Sequence, residues 1–213
     1  MAPKRKPEQL DVMAIDDLEQ IKVLADPLRL RILEQLGKSE RTTKQVADAL
    51  GERPTRLYHH IEALERVGLI RQTRQRQNRG TLEKYYIAVA RMFRAREGLF
   101  ATRDLQEADR ASMVTMVTSV FDNTVAELRG MLESGKADCL EEEAILTYAE
   151  LHTDEKGIAR IRKGIQQLLE DLKNECAEES SGGDDAPEAD ARRYRLTLAF
   201  FPLDVPSDAG DQG

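Results

Sequence analysis

Four side chains in one short stretch, PTRLYHHIEALERV, can read another molecule by hydrogen bonding and contact: Thr55, Arg56, Tyr58 and His59. An Arg guanidinium is a rigid fork of donors that suits guanine edges and phosphate oxygens. Hydroxyls reach phosphates, and apolar or aromatic groups meet the thymine methyl. Further on, Arg71, Arg74, Arg76, Arg79 and Lys84 surround the sequence Asn78-Arg79-Gly80, with Glu83 the sole acid among them. Asn and Gly accept positive φ, so this is a hairpin signal, and cations on a hairpin can follow a phosphate backbone or enter a minor groove. A run of charge alone is more often a solvated face. Five cations around one hairpin, soon after the helix that carries the first four residues, make this one more specific. Thr43, at the start of the preceding helix, adds a further hydroxyl to the candidate set for double-stranded DNA.

The elements that must hold these residues follow from the apolar spacing. Val46, Ala49 and Leu50 sit three to four apart, and Gly51 breaks the pattern where a turn needs a permissive backbone. A second helix starts at residues 53–55, where Pro54 is tolerated in the first turn. It buries Leu57, Ile61, Leu64 and Val67 and ends at Gly68. Strands at 70–75 and 82–89 then flank the basic hairpin. This order is a helix-turn-helix followed by a wing. Upstream, Asp16 or Asp17 caps a first helix with Leu18, Ile21, Leu24 and Ala25 inward. Asp26-Pro27 starts another, with Leu28, Ile32, Leu33 and Leu36 on the core side, Arg29 and Arg31 solvated, and Gly37 as the stop. Adjacent residues on a helix point about 100° apart, so His59 falls outward and His60 toward the core, where a structural role suits it.

The segments LADPLRLRILEQL and TTKQVADALGERPTRLYHHIEALERVGLI, followed by a basic wing, resemble the ArsR-type winged helix-turn-helix transcription regulators over about residues 18–96. The resemblance implies sequence-specific DNA binding as a homodimer, usually repressing transcription until an effector arrives. Metal-sensing members carry a Cys-x-Cys motif in the helix before the recognition helix, or His, Asp and Glu clusters on the last helix. Residues 43–50 hold neither Cys nor His, so that form of sensing is not expected here.

The overall charge of −7 across 213 residues argues against a nucleic-acid partner until it is divided by region. Residues 1–21 carry −2, residues 22–96 carry +9 and residues 97–213 carry −14, so the positive field sits on the reading domain. No apolar run reaches membrane length, and MAPKRKPEQL has no apolar core of a signal peptide, so a soluble, cytoplasmic protein is expected. Cys139 and Cys176 form neither a disulfide framework nor a metal knuckle.

The second half reads as a long helix over 102–133 with Met113, Met116, Val117, Val120, Phe121, Val125, Leu128, Met131 and Leu132 as its stripe. Ser112, Thr115, Thr118, Ser119 and Asn123 lie on the other side. So sustained a stripe suits a core or a dimer seam, and Met113, Met116, Val117, Val120, Phe121 and Leu128 are the expected dimer interface. EAILTYAEL at 143–151 and RRYRLTLAFFP at 192–202 alternate as paired strands, separated by a helix over 153–176. His152, Asp154, Glu155 and Cys139 have no spacing that demands a metal, and no catalytic signature is present.

The expected fold is mainly α with small β: a flexible tail (1–15), a winged helix-turn-helix domain (16–96), and a C-terminal α+β unit of order helix-strand-helix-strand (97–204). An acidic loop occupies 179–190, and 205–213 is a loose tail. The expected function is a DNA-binding regulator rather than an enzyme, with no cofactor. A small-molecule effector between the long helices and the sheet is a further option. The alternative is a protein-interaction module that uses a winged helix without reading DNA.

Overall fold

A computed structural model of the chain describes residues 9–78, 81–96, 98–99, 106–134, 144–147, 149–181 and 194–203. Helix α1 (Leu18–Leu24) is capped by Asp17, whose carboxylate accepts from the Glu19 amide at 2.9 Å. Helix α2 (Pro27–Lys38) is capped by Asp26 through the Leu28 amide at 2.8 Å, with Pro27 in the first turn, where its missing N–H costs no hydrogen bond. Helix α3 (Thr43–Leu50) opens on a capping box: Thr42 Oγ1 accepts from the Gln45 amide, and Gln45 Oε1 accepts from the Thr42 amide. Gly51 (φ 68°) and Gly68 (φ 73°) supply the left-handed backbone that closes α3 and follows α4 (Pro54–Arg66).

Ile21, Ile32, Leu36, Val46, Leu57, Leu64 and Leu69 have no exposed surface and form the centre of one core, joined by Ile61, Ile70, Tyr86 and Ala88. On α3 the buried pair is Val46 and Ala47. Ala49 is exposed and Leu50 half-buried, so the inward face lies one residue earlier than the spacing suggests. The wing is a three-stranded antiparallel sheet in the order β2 (Arg41–Thr42), β4 (Thr81–Ala88), β3 (Ile70–Asn78).

Several features differ from expectation before the second half is reached. Leu10–Ile15, expected within a flexible tail, is a strand, β1, pairing in parallel with β5 (Ala90–Ala95) in the register Leu10 to Ala90 through Ile15 to Ala95. Its partner lies some eighty residues away, so no local pattern announces it. Arg29 and Arg31, expected to be solvated, work as clips. Arg29 Nη1 donates to the Val23 carbonyl of α1 at 3.1 Å, and Arg31 Nη2 to the Leu50 carbonyl of α3 at 3.3 Å. Each satisfies a carbonyl in a last helical turn with a cation, where the helix dipole favours one.

Helix α5 (Glu107–Glu133) docks its first half on α1 and α2. Met113 and Met116 are buried, but so is Ser119, whose hydroxyl donates to the Ala25 carbonyl at 3.2 Å. Asn123 Nδ2 donates to Glu34 at 2.6 Å. Ser119 and Asn123, expected on the outer side, therefore help to make the contact. The rest of the stripe stands open apart from half-buried Val120, with Val117, Phe121, Val125, Leu128, Met131 and Leu132 all exposed. Helix α6 (Glu155–Ser181) begins where expected, with Asp154 accepting from the Gly157 amide at 2.8 Å.

The two strands expected in the second half are absent from residues 144–147, 149–151 and 194–202. Glu143, Tyr148, Arg192 and Arg193 lie outside the described residues. Ile145 is 94% exposed. The 194–203 segment runs beside α5, fastened by Arg195 to Glu34 and Glu127 (2.7 Å each) and by a 2.8 Å contact between the Thr197 and Thr124 hydroxyls. Alternation sets which side chains share a face, but a strand also needs a hydrogen-bonding neighbour. Without that sheet, the effector pocket expected against it lacks a wall among the described residues. No helix among the described residues is long and apolar enough to cross a membrane.

Candidate nucleic-acid interface

Helix α4 has two sharply different sides. Leu57, Ile61 and Leu64 point into the core, and His60 joins them at 6% exposed. Thr55, Arg56, Tyr58 and His59 face out, with Tyr58 59% exposed despite its ring. The first turn of α4 carries a proline and no side-chain cap. Pro54 has no amide to offer, and the Arg56 amide donates to the Arg53 carbonyl at 3.0 Å, so the backbone itself closes this turn. Arg56 is held by Glu52 of the preceding turn at 2.9 Å, a contact that a competing phosphate or base can displace because Arg56 is largely exposed.

His60 anchors helix α4 to its scaffold. Arg29 Nε donates to His60 Nδ1 at 3.3 Å, and Asp26 Oδ2 lies 3.4 Å from the same nitrogen. A guanidinium is always a donor, so Nδ1 accepts and the imidazole is neutral. Burial lowers the His60 pKa, Asp26 opposes this, and the charges of His59, Arg29 and Arg56 reinforce it. The unfolded chain, with its His titrating at about 6.5, then takes the proton more readily than the folded one. Stability from neutral His60 is complete above that pH and is lost as pH falls through it. Urea unfolding of the full chain should show a falling midpoint between about pH 7.5 and pH 5.5. His60→Gln should flatten that fall, and an equally steep fall in the variant would exclude His60 as its source.

The wing contains an irregularity that decides where its cations lie. In the β3–β4 ladder, Gln72 opposes Tyr86 and Arg74 opposes Tyr85, leaving Thr73 as an extra residue in a β-bulge. Successive strand residues point to opposite faces, so Arg71 and Arg74, three apart, would otherwise be on different sides. The bulge puts Arg71, Arg74 and Arg76 on one face together with Tyr85 and Ile87. Ile70, Tyr86 and Ala88 turn to the core.

Several candidates need correction against this geometry. Thr43 is buried and offers no surface contact. Lys84 opposes Gln75 and lies on the other wing face from Arg74 and Arg76. Arg74 is committed within the domain. Its guanidinium meets Glu40 at 2.7 and 2.8 Å and stacks 3.7 Å from the centre of the Tyr85 ring. Arg79 lies outside the described residues. Thr55, Arg56, Tyr58, His59, Arg71 and Arg76 keep exposed positions. Sequence reasoning missed Glu40, Thr73 and Glu52. An isolated Glu in a loop carries no signal until the fold brings its partner close.

A helix-turn-helix whose second helix is backed by a β-hairpin is a winged helix-turn-helix, the fold that the resemblance implied for this part of the chain. Residues 24–73 match a family model described as a helix-turn-helix domain. Among solved structures, a crystal structure of residues 1–100 of a possible transcriptional regulatory protein from Mycobacterium bovis is 23% identical. It covers 49% of this chain and 94% of that one, with a TM-score of 0.28. A solution structure of a homodimeric winged helix-turn-helix DNA-binding domain from Mycobacterium bovis, a possible ArsR-family transcriptional regulator, is 22% identical. It covers 52% of this chain and 85% of that one, with a TM-score of 0.27. No curated protein matches the chain.

Proposed function

We propose that the protein is a sequence-specific, DNA-binding transcriptional regulator of the ArsR-like winged-helix type, acting as a homodimer and as a repressor. The observation that carries this reading is the exposed set Thr55, Arg56, Tyr58 and His59 on a helix whose other side is fully buried, beside a wing face carrying Arg71 and Arg76. Helix-turn-helix proteins bring the N-terminal part of the second helix to base edges in the major groove, while flanking cations hold the phosphates. Arg56 reads a base, Thr55, Tyr58 and His59 complete the contact, and the wing arginines fix the register.

The exposed stripe of α5 supports the dimer. Val117, Phe121 and Leu128, with half-buried Val120, remain from the expected interface. Met113 and Met116 drop out because they are buried within the chain's own core. Two reading helices then meet half-sites about one helical turn, roughly 34–36 Å, apart. Selection of the full chain against random duplexes near physiological salt tests the reading. Enrichment of an inverted repeat with that spacing supports a dimeric reader. Binding that enriches nothing and vanishes as salt rises would refute it. Arg56→Ala should cost about 1–3 kcal/mol on the selected site and relax preference at one position of each half-site, as titrations of single-position site variants would show.

A further inference from the structure

We propose that Glu40 is a positioning residue for the wing, an acid whose removal weakens DNA binding. This rests on the DNA-interface reading above. Glu40 follows α2 just before β2 and is half-buried. One carboxylate oxygen accepts from the Thr73 hydroxyl at 2.8 Å. The other accepts from Arg74 Nε at 2.8 Å and meets Arg74 Nη2 at 2.7 Å. The Thr73 hydroxyl also lies 3.3 Å from the Tyr85 carbonyl. With one proton to give, it gives it to the closer and charged oxygen. Arg74, so held, stacks on the buried Tyr85 ring across the ladder.

Glu40 thus grips both the extra residue of the bulge and the residue after it. A bulge lacks part of the ladder's own hydrogen bonding and needs outside support to stay in one place. If the strand slipped to remove it, every side chain of β3 beyond Gln72 would change face. Arg76 would then leave the face that carries Arg71. The carboxylate's main effect on the interface is therefore geometric: it fixes the wing cations on one side by anchoring the bulge to the reading domain.

The sign of the effect separates this from simple electrostatics. On charge alone, Glu40→Gln removes an anion and releases Arg74, so binding should tighten and its salt dependence should steepen. Positioning predicts the reverse: severalfold weaker binding of the full chain to a mixed-sequence duplex, with a log–log salt slope shallower by about 0.9 for each phosphate that is no longer neutralised. Thr73→Val keeps the net charge and the β-branched shape while deleting one of the two grips. It should weaken binding in the same direction. NMR contacts between the Arg74 and Tyr85 side chains report the register independently of DNA. They should persist in the wild type and diminish in Glu40→Gln. Tighter or unchanged binding by both variants, with those contacts intact, would overturn the proposal. If the wild-type chain binds no duplex, the DNA-interface reading fails, and the register measurement still decides whether Glu40 holds the bulge.

Discussion

Leu57→Ala should lower the free energy of unfolding by about 2–5 kcal/mol, the range for emptying a buried leucine site. Leu57 has no exposed surface and lies in the first turns of α4, among Arg56, Tyr58 and His59. The core to which it belongs draws on several elements, including Ile32 of α2 and Val46 of α3, so the cavity should not close by moving one helix alone. The change touches no outward side chain. Urea unfolding should therefore show the loss of stability, while DNA binding well below the unfolding midpoint should keep its base preference. A drop of less than about 1 kcal/mol would mean that α4 is not seated on this core as described.

Replacing both exposed wing arginines, Arg71→Ala with Arg76→Ala, should weaken binding to every duplex in similar proportion. Each phosphate neutralised releases condensed counterions, so the slope of log affinity against log salt should become shallower by about 1.8 for two contacts. At about 0.15 M salt the same term corresponds to roughly a thirtyfold loss of affinity. The ranking among sequences should hardly change, because backbone contacts position a protein without reading bases. Anisotropy titrations over a salt series check both quantities. A large change in ranking with an unaltered slope would place these arginines at base edges instead.

The winged helix-turn-helix domain is largely legible in the sequence because its signals are local. Asp26-Pro27, Gly51, Pro54 and Gly68 punctuate the helices where the backbone requires it, and Leu57, Ile61 and Leu64 repeat at helical spacing. What escapes a sequence reading depends on distant partners. β1 becomes a strand only against Ala90–Ala95, and Glu40 becomes a clamp only once Thr73 and Arg74 are beside it. The bulge is invisible to a period-two pattern, which places Arg71 and Arg74 on opposite faces.

In the second half, periodicity finds α5 and α6 but misjudges what α5 faces. At about 1.5 Å rise per residue, a 27-residue helix such as α5 is more than twice as long as the 12-residue α2 on which it rests. Its stripe must therefore run past that support, and Met113 and Met116 are the two of its apolar residues that become buried. Polar Ser119 and Asn123 join the contact because the Ala25 carbonyl and Glu34 offer them partners. The alternation in 192–202 suggests a strand, yet its described residues, fastened by Arg195 and Thr197, pair with no other strand.

The most direct test of the central claim, that the N-terminal turns of α4 read DNA sequence, is a parallel selection. Wild-type chain and Arg56→Ala would each be taken through the same random duplex pool at one near-physiological salt concentration, and the enriched sequences compared. Reading by α4 predicts an inverted repeat for the wild type and the same repeat with one degenerate position in each half-site for the variant. Identical motifs from both proteins would contradict the role of Arg56, and no motif from either would contradict sequence reading by this helix.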